Sequence, residues 1–414
     1  MPSSIMVRTA AIAGTIAAAA IAAYAVVTLT ATQAAEPDPP PAGDVETEAA
    51  PAPNRGPVAH AWGSDRRGYL GVGSPGGTQA DPTPLGMPPD VFYAQVAAGA
   101  RSSCALDDDG GVWCWGFGQS GQLGDGQGQS RSDHRPVDAD VRLTSLAGHD
   151  HSFCGIDTAG ALWCWGSNRA GQLGVGDTDR RTVPTKVVGG SWAEVDVART
   201  HTCAVDTAGD GWCWGRGGVQ GWSPLGTGNT SNTTTPAPVV VPDGTTLAGI
   251  AAGSTHSAAV DTDGRVWAWG EGRSGQIGPR ETTAMVAVEV PLPDGVVAVN
   301  VTAGDDHTCV IDQDGGVWCW GRGREGQLGV GARSDSADPV QVELDAPAVT
   351  VDAGSEHTCV VDGLGDVWCW GEGGSGRLGT GDASVQDRPV RVDLPWDAAG
   401  VTAGDDHTVG WPAR

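Results

Sequence analysis

The chain has 414 residues, with 65 Gly, 27 Pro and 17 Trp against three Tyr and three Phe, so one tryptophan-bearing motif has been copied many times along it. Fifty acidic residues against 24 basic ones give a formal net charge of −26. That field repels phosphate backbones, which argues against a nucleic-acid partner and leaves basic proteins or cations for any electrostatically chosen one.

Residues 10–31 (AAIAGTIAAAAIAAYAVVTLTA) are uncharged, follow Arg8 and lead into small residues around Ala34, the layout of a signal peptide cleaved near that point. The run is also long enough to span a bilayer, so residues 1–34 read as a signal peptide or as an uncleaved N-terminal anchor. In both readings the remainder is secreted or otherwise extracytoplasmic, and the anchor is its one route to a membrane. Residues 35–55 are acidic and Pro-rich; they carry too few apolar side chains to order themselves and form a semi-extended linker. The folded part is expected over residues 56–414.

From there Trp-Gly pairs recur at Trp62, Trp115, Trp165, Trp214, Trp269, Trp320 and Trp370, 49 to 55 residues apart. Upstream of most lies an alternating segment such as CALDDDGGVWCWG (104–116), whose period of two around Asp-x-x-Gly predicts a β-hairpin. Pairing Asp107 with Gly111 leaves Asp108, Asp109 and Gly110 as a three-residue loop with Gly110 left-handed. The same carboxylates could be read as a calcium loop, but Asp opening a turn is ordinary turn chemistry. A strand precedes each hairpin, and a GxxxxGQLGxG loop and a further β-rich segment follow it. Four short strands per copy, repeated about an axis with almost no helix, predict an all-β, seven-bladed β-propeller. The last copy stops after its His407 strand and the first begins with a Trp-Gly segment lacking such a strand. Strands from both termini are therefore expected to complete one blade and close the ring.

GVWCWG, GQLGxG and AGxxH together resemble the regulator of chromosome condensation repeat family over residues 56–414. The resemblance implies the propeller scaffold and the habit of binding proteins through one face. The family's eukaryotic founder is a nucleotide-exchange factor for a nuclear GTPase that also docks on chromatin, partners an exported acidic chain does not meet. Similar repeats occur in secreted bacterial propellers, some of them protein inhibitors of β-lactamases.

All ten cysteines fall in pairs ten residues apart: Cys104 with Cys114, Cys154 with Cys164, Cys203 with Cys213, Cys309 with Cys319, and Cys359 with Cys369. In the hairpin register each pair is directly opposite, on a non-hydrogen-bonded pair within disulfide reach. Free thiols used as small core residues are the alternative. Export favours disulfides, and so does the loss of both members together, at Ala258 with Ala268 and at Val409 with Ala61. A Cys₄ zinc site fails for want of ligand spacing. The paired tryptophans of each copy share one strand face and are expected to stack between blades.

Trp222 lies outside the pattern, in an insertion (RGGVQGWSP) that lengthens the third copy's Trp-to-Leu spacing from eight to eleven residues; it is an interface candidate or a locally packed ring. His151, His201, His256, His307, His357 and His407 are read as one recurring position. A histidine ring invites a metal, but each follows a turn where imidazole satisfies backbone groups, so neither metal nor cofactor is expected. No GxSxG elbow or phosphate loop appears and no titratable cluster is confined to one blade, so no catalytic residue is assigned. The expected function is an exported protein-binding scaffold, such as an inhibitor or surface adhesin, acting as a monomer. The alternatives are an extracytoplasmic enzyme on carbohydrate or peptide at the propeller axis and, least suited, an exchange-factor-like activity. The two residues before each repeated His are expected to ring the axis, with acids (Asp305, Asp306, Glu356, Asp405, Asp406) on one arc and arginines (Arg101, Arg199) on the other. These and Trp222 are the candidate partner-binding residues.

Overall fold

A computed structural model describes residues 57–413 apart from 74–75, 138–139 and 220. The signal peptide or anchor and the linker, residues 1–55, lie outside the described residues. Seven four-stranded antiparallel sheets form the blades. Blade one consists of Tyr93–Ala98, Ser102–Asp107, Val112–Gly116 and Arg131–Pro136; blades two to six span 143–186, 192–238, 247–290, 298–342 and 348–392. Blade seven takes Ala398–Ala403 and His407–Pro412 from the C-terminal end and His60–Ser64 and Thr78–Pro84 from the N-terminal end. His60 pairs with Gly410 and Gly63 with His407, so the ring closes as the two incomplete repeats predict. The described helices are two single turns, Arg66–Gly68 and Gly374–Gly376.

The hairpins form because one aspartate satisfies three donors. Gly110 has φ 76°, and the Asp107 N–H bonds Gly111 O at 2.9 Å. Asp107 Oδ1 accepts the Asp109 and Gly111 N–H groups while Oδ2 accepts the Trp113 indole N–H at 2.8 Å. The same bond to the indole recurs at Asp157, Asp206, Asp261, Asp312 and Asp362. These tip carboxylates are thus consumed by turn and ring, as the turn reading requires.

The register set by these turns brings the cysteines face to face, and all ten are disulfide-bonded rather than free thiols in the core. Cys104 is bonded to Cys114, Cys154 to Cys164, Cys203 to Cys213, Cys309 to Cys319 and Cys359 to Cys369, with Cα atoms 4.1–4.2 Å apart. In each case the two residues are directly opposite across the second and third strands of the blade. Ala258 faces Ala268 and Ala61 faces Val409 in the blades without a bridge.

The second tryptophan of each copy is the joint between blades. Trp62, Trp115, Trp165, Trp214, Trp269, Trp320 and Trp370 are fully buried. Trp165 belongs to the apolar cluster of blade one, Trp214 to that of blade two and Trp370 to that of blade five. Their indole N–H groups donate backwards to the carbonyls of Gln122, Gln172 and Gln327, the Gln of the GQLG loop, at 2.8–3.0 Å. The glycine two places after that Gln is obligatory: a Cβ on Gly174 would lie 2.6 Å from Trp214 Nε1. Each ring but Trp62, whose buried indole N–H has no partner, therefore combines a large apolar burial with a hydrogen bond it would otherwise lose on leaving water.

Candidate functional site

In every blade the loop joining strands one and two meets the loop after strand three. Gly116 pairs with Ser102 and the Phe117 N–H bonds Arg101 O; Arg322 N–H does the same to Asp306 O, and Arg216 N–H to Thr200 O. Both loop sets therefore lie on one face, and with them all eight candidate partner-binding residues, Trp222 included.

The repeated histidine is structural. Nε2 of His201, His256, His307, His357 and His407 lies 2.8–2.9 Å from the hydroxyl of Ser257, Thr308, Thr358, Thr408 and Ser103 in the next blade. The hydroxyls of Ser257, Thr308, Thr358 and Thr408 themselves donate to loop carbonyls. Their oxygens must accept from Nε2–H, which fixes the tautomer. Burial holds these imidazoles neutral, lowering His201 and His256 to about 3 and His307 and His407 to about 4.

Blade two corrects the sequence reading. Ser152, not His151, pairs with Gly166 as His307 pairs with Gly321, so the recurring position holds Ser102 and Ser152 in blades one and two and histidine in the other five. The pair preceding the recurring position in blade two is accordingly Asp150 and His151 rather than His149 and Asp150, the two residues before His151. His149 instead takes the place of Gly99, Gly253, Gly304, Gly354 and Gly404, whose N–H groups pair with the residue three further on. A Cβ on Gly304 would sit 2.4 Å from Gly354 O and 2.2 Å from His307 Cε1. In blade two the small Ser152 removes that imidazole and makes room for a side chain. Asp150, at φ 46°, absorbs the backbone strain.

Two arginines that the sequence reading did not single out neutralise most of the expected acidic arc. Arg322 lies 3.6 Å from Asp306, 3.5 Å from Glu356 and 3.7 Å from Glu325. Arg377 pairs with Glu372 at 2.9 Å and Asp406 at 3.3 Å and donates to Asp405 O. Arg377 stands where other loops have Gln, and that departure was the available signal. Arg199 is exposed and lies 4.0 Å from Asp150; Arg101 is exposed as well.

Asp305 and Asp405 remain, and they face His149. Its Nε2 is 3.9 Å from Asp405 Oδ1, although blade one stands between their blades. Burial disfavours the imidazolium, but Asp405, Asp305, Asp150 and Asp196 outweigh it and raise the His149 pKa above the ordinary value. Burial pushes Asp305 up to about 6. Trp222 is half-buried in a loop whose Ser223 N–H bonds Ala284 O of blade four, beside exposed Val219, Val240 and Met285. Among the described residues no group of three or more His, Cys, Asp or Glu is placed to hold a metal ion.

A model of the RCC1-like domain matches residues 54–299, and models of the regulator of chromosome condensation (RCC1) repeat match residues 314–361, 365–411, 298–327 and 348–377. The chain is 30% identical over 251 residues to the ultraviolet-B receptor UVR8 of Arabidopsis thaliana, covering 60% of this chain and 45% of that one. It is 27% identical over 292 residues to the human E3 ubiquitin-protein ligase HERC2, covering 69% of this chain and 5% of that one. It thus spans less than half the length of these curated relatives. Among solved structures it superposes on human WBSCR16 with a TM-score of 0.76 at 21% identity, covering 86% of this chain and 98% of that one. Prp20p of Saccharomyces cerevisiae, described with its binding to Gsp1p and histones, gives 0.76 at 22% identity, covering 86% and 92%.

Proposed function

Because the chain belongs to the RCC1-like family of β-propellers, we propose that it is an exported protein-binding scaffold, an inhibitor or adhesin rather than an enzyme, that grips its partner with the face carrying the Asp305 and Asp405 loops. One observation carries the reading. The residues copied from blade to blade are engaged in holding hairpins and blades together, whereas this face collects residues that differ from blade to blade: Arg101, Asp150, Arg199, Asp305, Glu356, Asp405 and the Trp222 insertion. A rigid ring presenting a non-repeating surface suits recognition, and the five repeated histidines are neutral and bonded to the next blade, unavailable as acid–base groups. The N-terminal apolar run and the disulfides support export. Capture from an extracytoplasmic protein fraction tests the reading. The wild-type protein is expected to retain a partner that a variant with Arg101, Arg199 and Trp222 changed to Ala releases. Turnover of a carbohydrate or peptide substrate by the wild type, abolished by the same variant, would overturn it in favour of an enzyme.

A further inference from the structure

The axial mouth of this face holds an ion pair whose two members are incompletely satisfied. Asp405 Oδ1 is buried and accepts no hydrogen bond. His149 Nε2 approaches it only to 3.9 Å, beyond hydrogen-bond length. His149 is 9% exposed, and its buried Nδ1 also has no partner. The carboxylate is therefore balanced in charge but not in hydrogen bonding, an arrangement that a second, better-shaped donor improves. The surrounding residues narrow what that donor is. Arg322 and Arg377 already occupy Asp306, Glu356 and Asp406, while Asp150 is tied to His151 at 2.7 Å and to Arg199. Asp305 and Asp405 are the carboxylates left for an incoming charge. They lie two blades apart on the ring, with the small Ser355 between them.

We propose that this mouth receives one basic side chain, lysine or arginine, of a protein partner, which displaces the His149 imidazole from Asp405 and Asp305. The proposal rests on the protein-binding reading and names its chemistry: His149 is a built-in competitor that fills the site when empty. The groups facing it are Asp405, Asp305, Asp150 with Arg199, Asp196 on the inner strand of blade three, and the neutral His201. Protonated His149 keeps the site closed. Loss of that proton leaves Asp305 and Asp405 uncompensated, so a basic side chain binds better as pH rises, and protonation of Asp305 near pH 6 weakens it further on the acid side.

The probe is the capped peptide acetyl-Gly-Arg-Gly-amide, titrated into the folded protein while the His149 ring is followed by NMR. A saturable shift of the His149 resonances is expected, with affinity at least threefold weaker at pH 6 than at pH 8. Asp305→Asn with Asp405→Asn should abolish it. His149→Gly, which installs the residue that five other blades carry at this place and is followed by the backbone amide resonances of the mouth, should keep the binding and lose the His149 share of its pH dependence, leaving only the weakening that Asp305 protonation near pH 6 causes. An unshifted His149 at saturating peptide, unchanged affinity in the double Asn variant, or an unchanged pH profile in His149→Gly would each overturn the proposal. The peptide reads the mouth alone, so its failure leaves partner capture by the remainder of the face to be judged by the capture experiment.

Discussion

Glu194 occupies in blade three the place that Gln95 fills in blade one. Gln95 clamps the neighbouring inner strand with both ends of its amide: Nε2 donates to Leu146 O at 2.9 Å and Oε1 accepts the Leu146 N–H at 3.1 Å. Ionised, Glu194 can only accept, from Ile250, and burial together with nearby Asp196 raises it to about 7. Because its folded value lies above the ordinary 4.5, the stability it contributes is complete below about pH 4.5 and is lost as pH rises through 7. Glu194→Gln should therefore raise Tm by a few degrees at pH 8, roughly 1 to 3 kcal/mol, and change it little at pH 4.5. Calorimetry at the two pH values checks this; an equal change at both would show that the glutamate is not strained by its charge. Asp196, Asp352, Thr302 and Thr402 clamp neighbouring inner strands in the same way, accepting from Ala252, Ala403, Ala353 and Ala98. None of these roles was legible in the sequence, because the partner of each is a backbone N–H about fifty residues or more away. In blade two AGHDH offers two histidines, and only counting back two residues from Cys154, as His307 precedes Cys309, selects Ser152 for the recurring position.

The hairpin, by contrast, could be read residue by residue, since every interaction that fixes it is local. Asp107, Gly110 and Trp113 lie within seven positions, and together they set the register that places Cys104 against Cys114. The same count places Cys164, Cys213, Cys319 and Cys369 against their partners ten residues upstream. That register makes blade four a site for a sixth bridge. Ala258 and Ala268 are directly opposite and fully buried, on a pair equivalent to the five that carry disulfides. Ala258→Cys with Ala268→Cys should oxidise quantitatively, giving a folded protein twelve hydrogens lighter than its reduced form instead of ten. Closing so short a loop is worth up to about 3 kcal/mol on the chain-entropy view, so Tm should rise. Two free thiols in the oxidised variant would show that blade four has a different register. The loop face resisted the same treatment. Acidic residues were visible at Asp306, Glu356 and Asp406, but whether they attract a partner depends on Arg322 and Arg377, which reach them from other loops.

From blade three round to blade one, across the joint where the two termini meet, the same bond is passed from blade to blade. His201 to Ser257, His256 to Thr308, His307 to Thr358, His357 to Thr408 and His407 to Ser103 run without a gap from blade three through blade seven to blade one. Two of the five links use the strand His407–Pro412, which also supplies the partner of His60–Ser64. An open stack of repeats frays from its ends, because each unit leans only on its neighbours; a closed one has no end to fray. Removing residues 406–414 takes away that strand, breaks both links, and leaves Trp62 without the sheet that holds it in the cluster of blade six. The exposed surface then belongs to blades one, six and seven together, so the loss should spread beyond the blade that was cut. The truncated protein is expected to melt in a single transition lower by roughly ten degrees or more, or not to fold, with near-ultraviolet tryptophan signal lost across the ring. A truncated chain that keeps the parent melting temperature would mean that the termini are passengers and that six blades suffice to hold the axis.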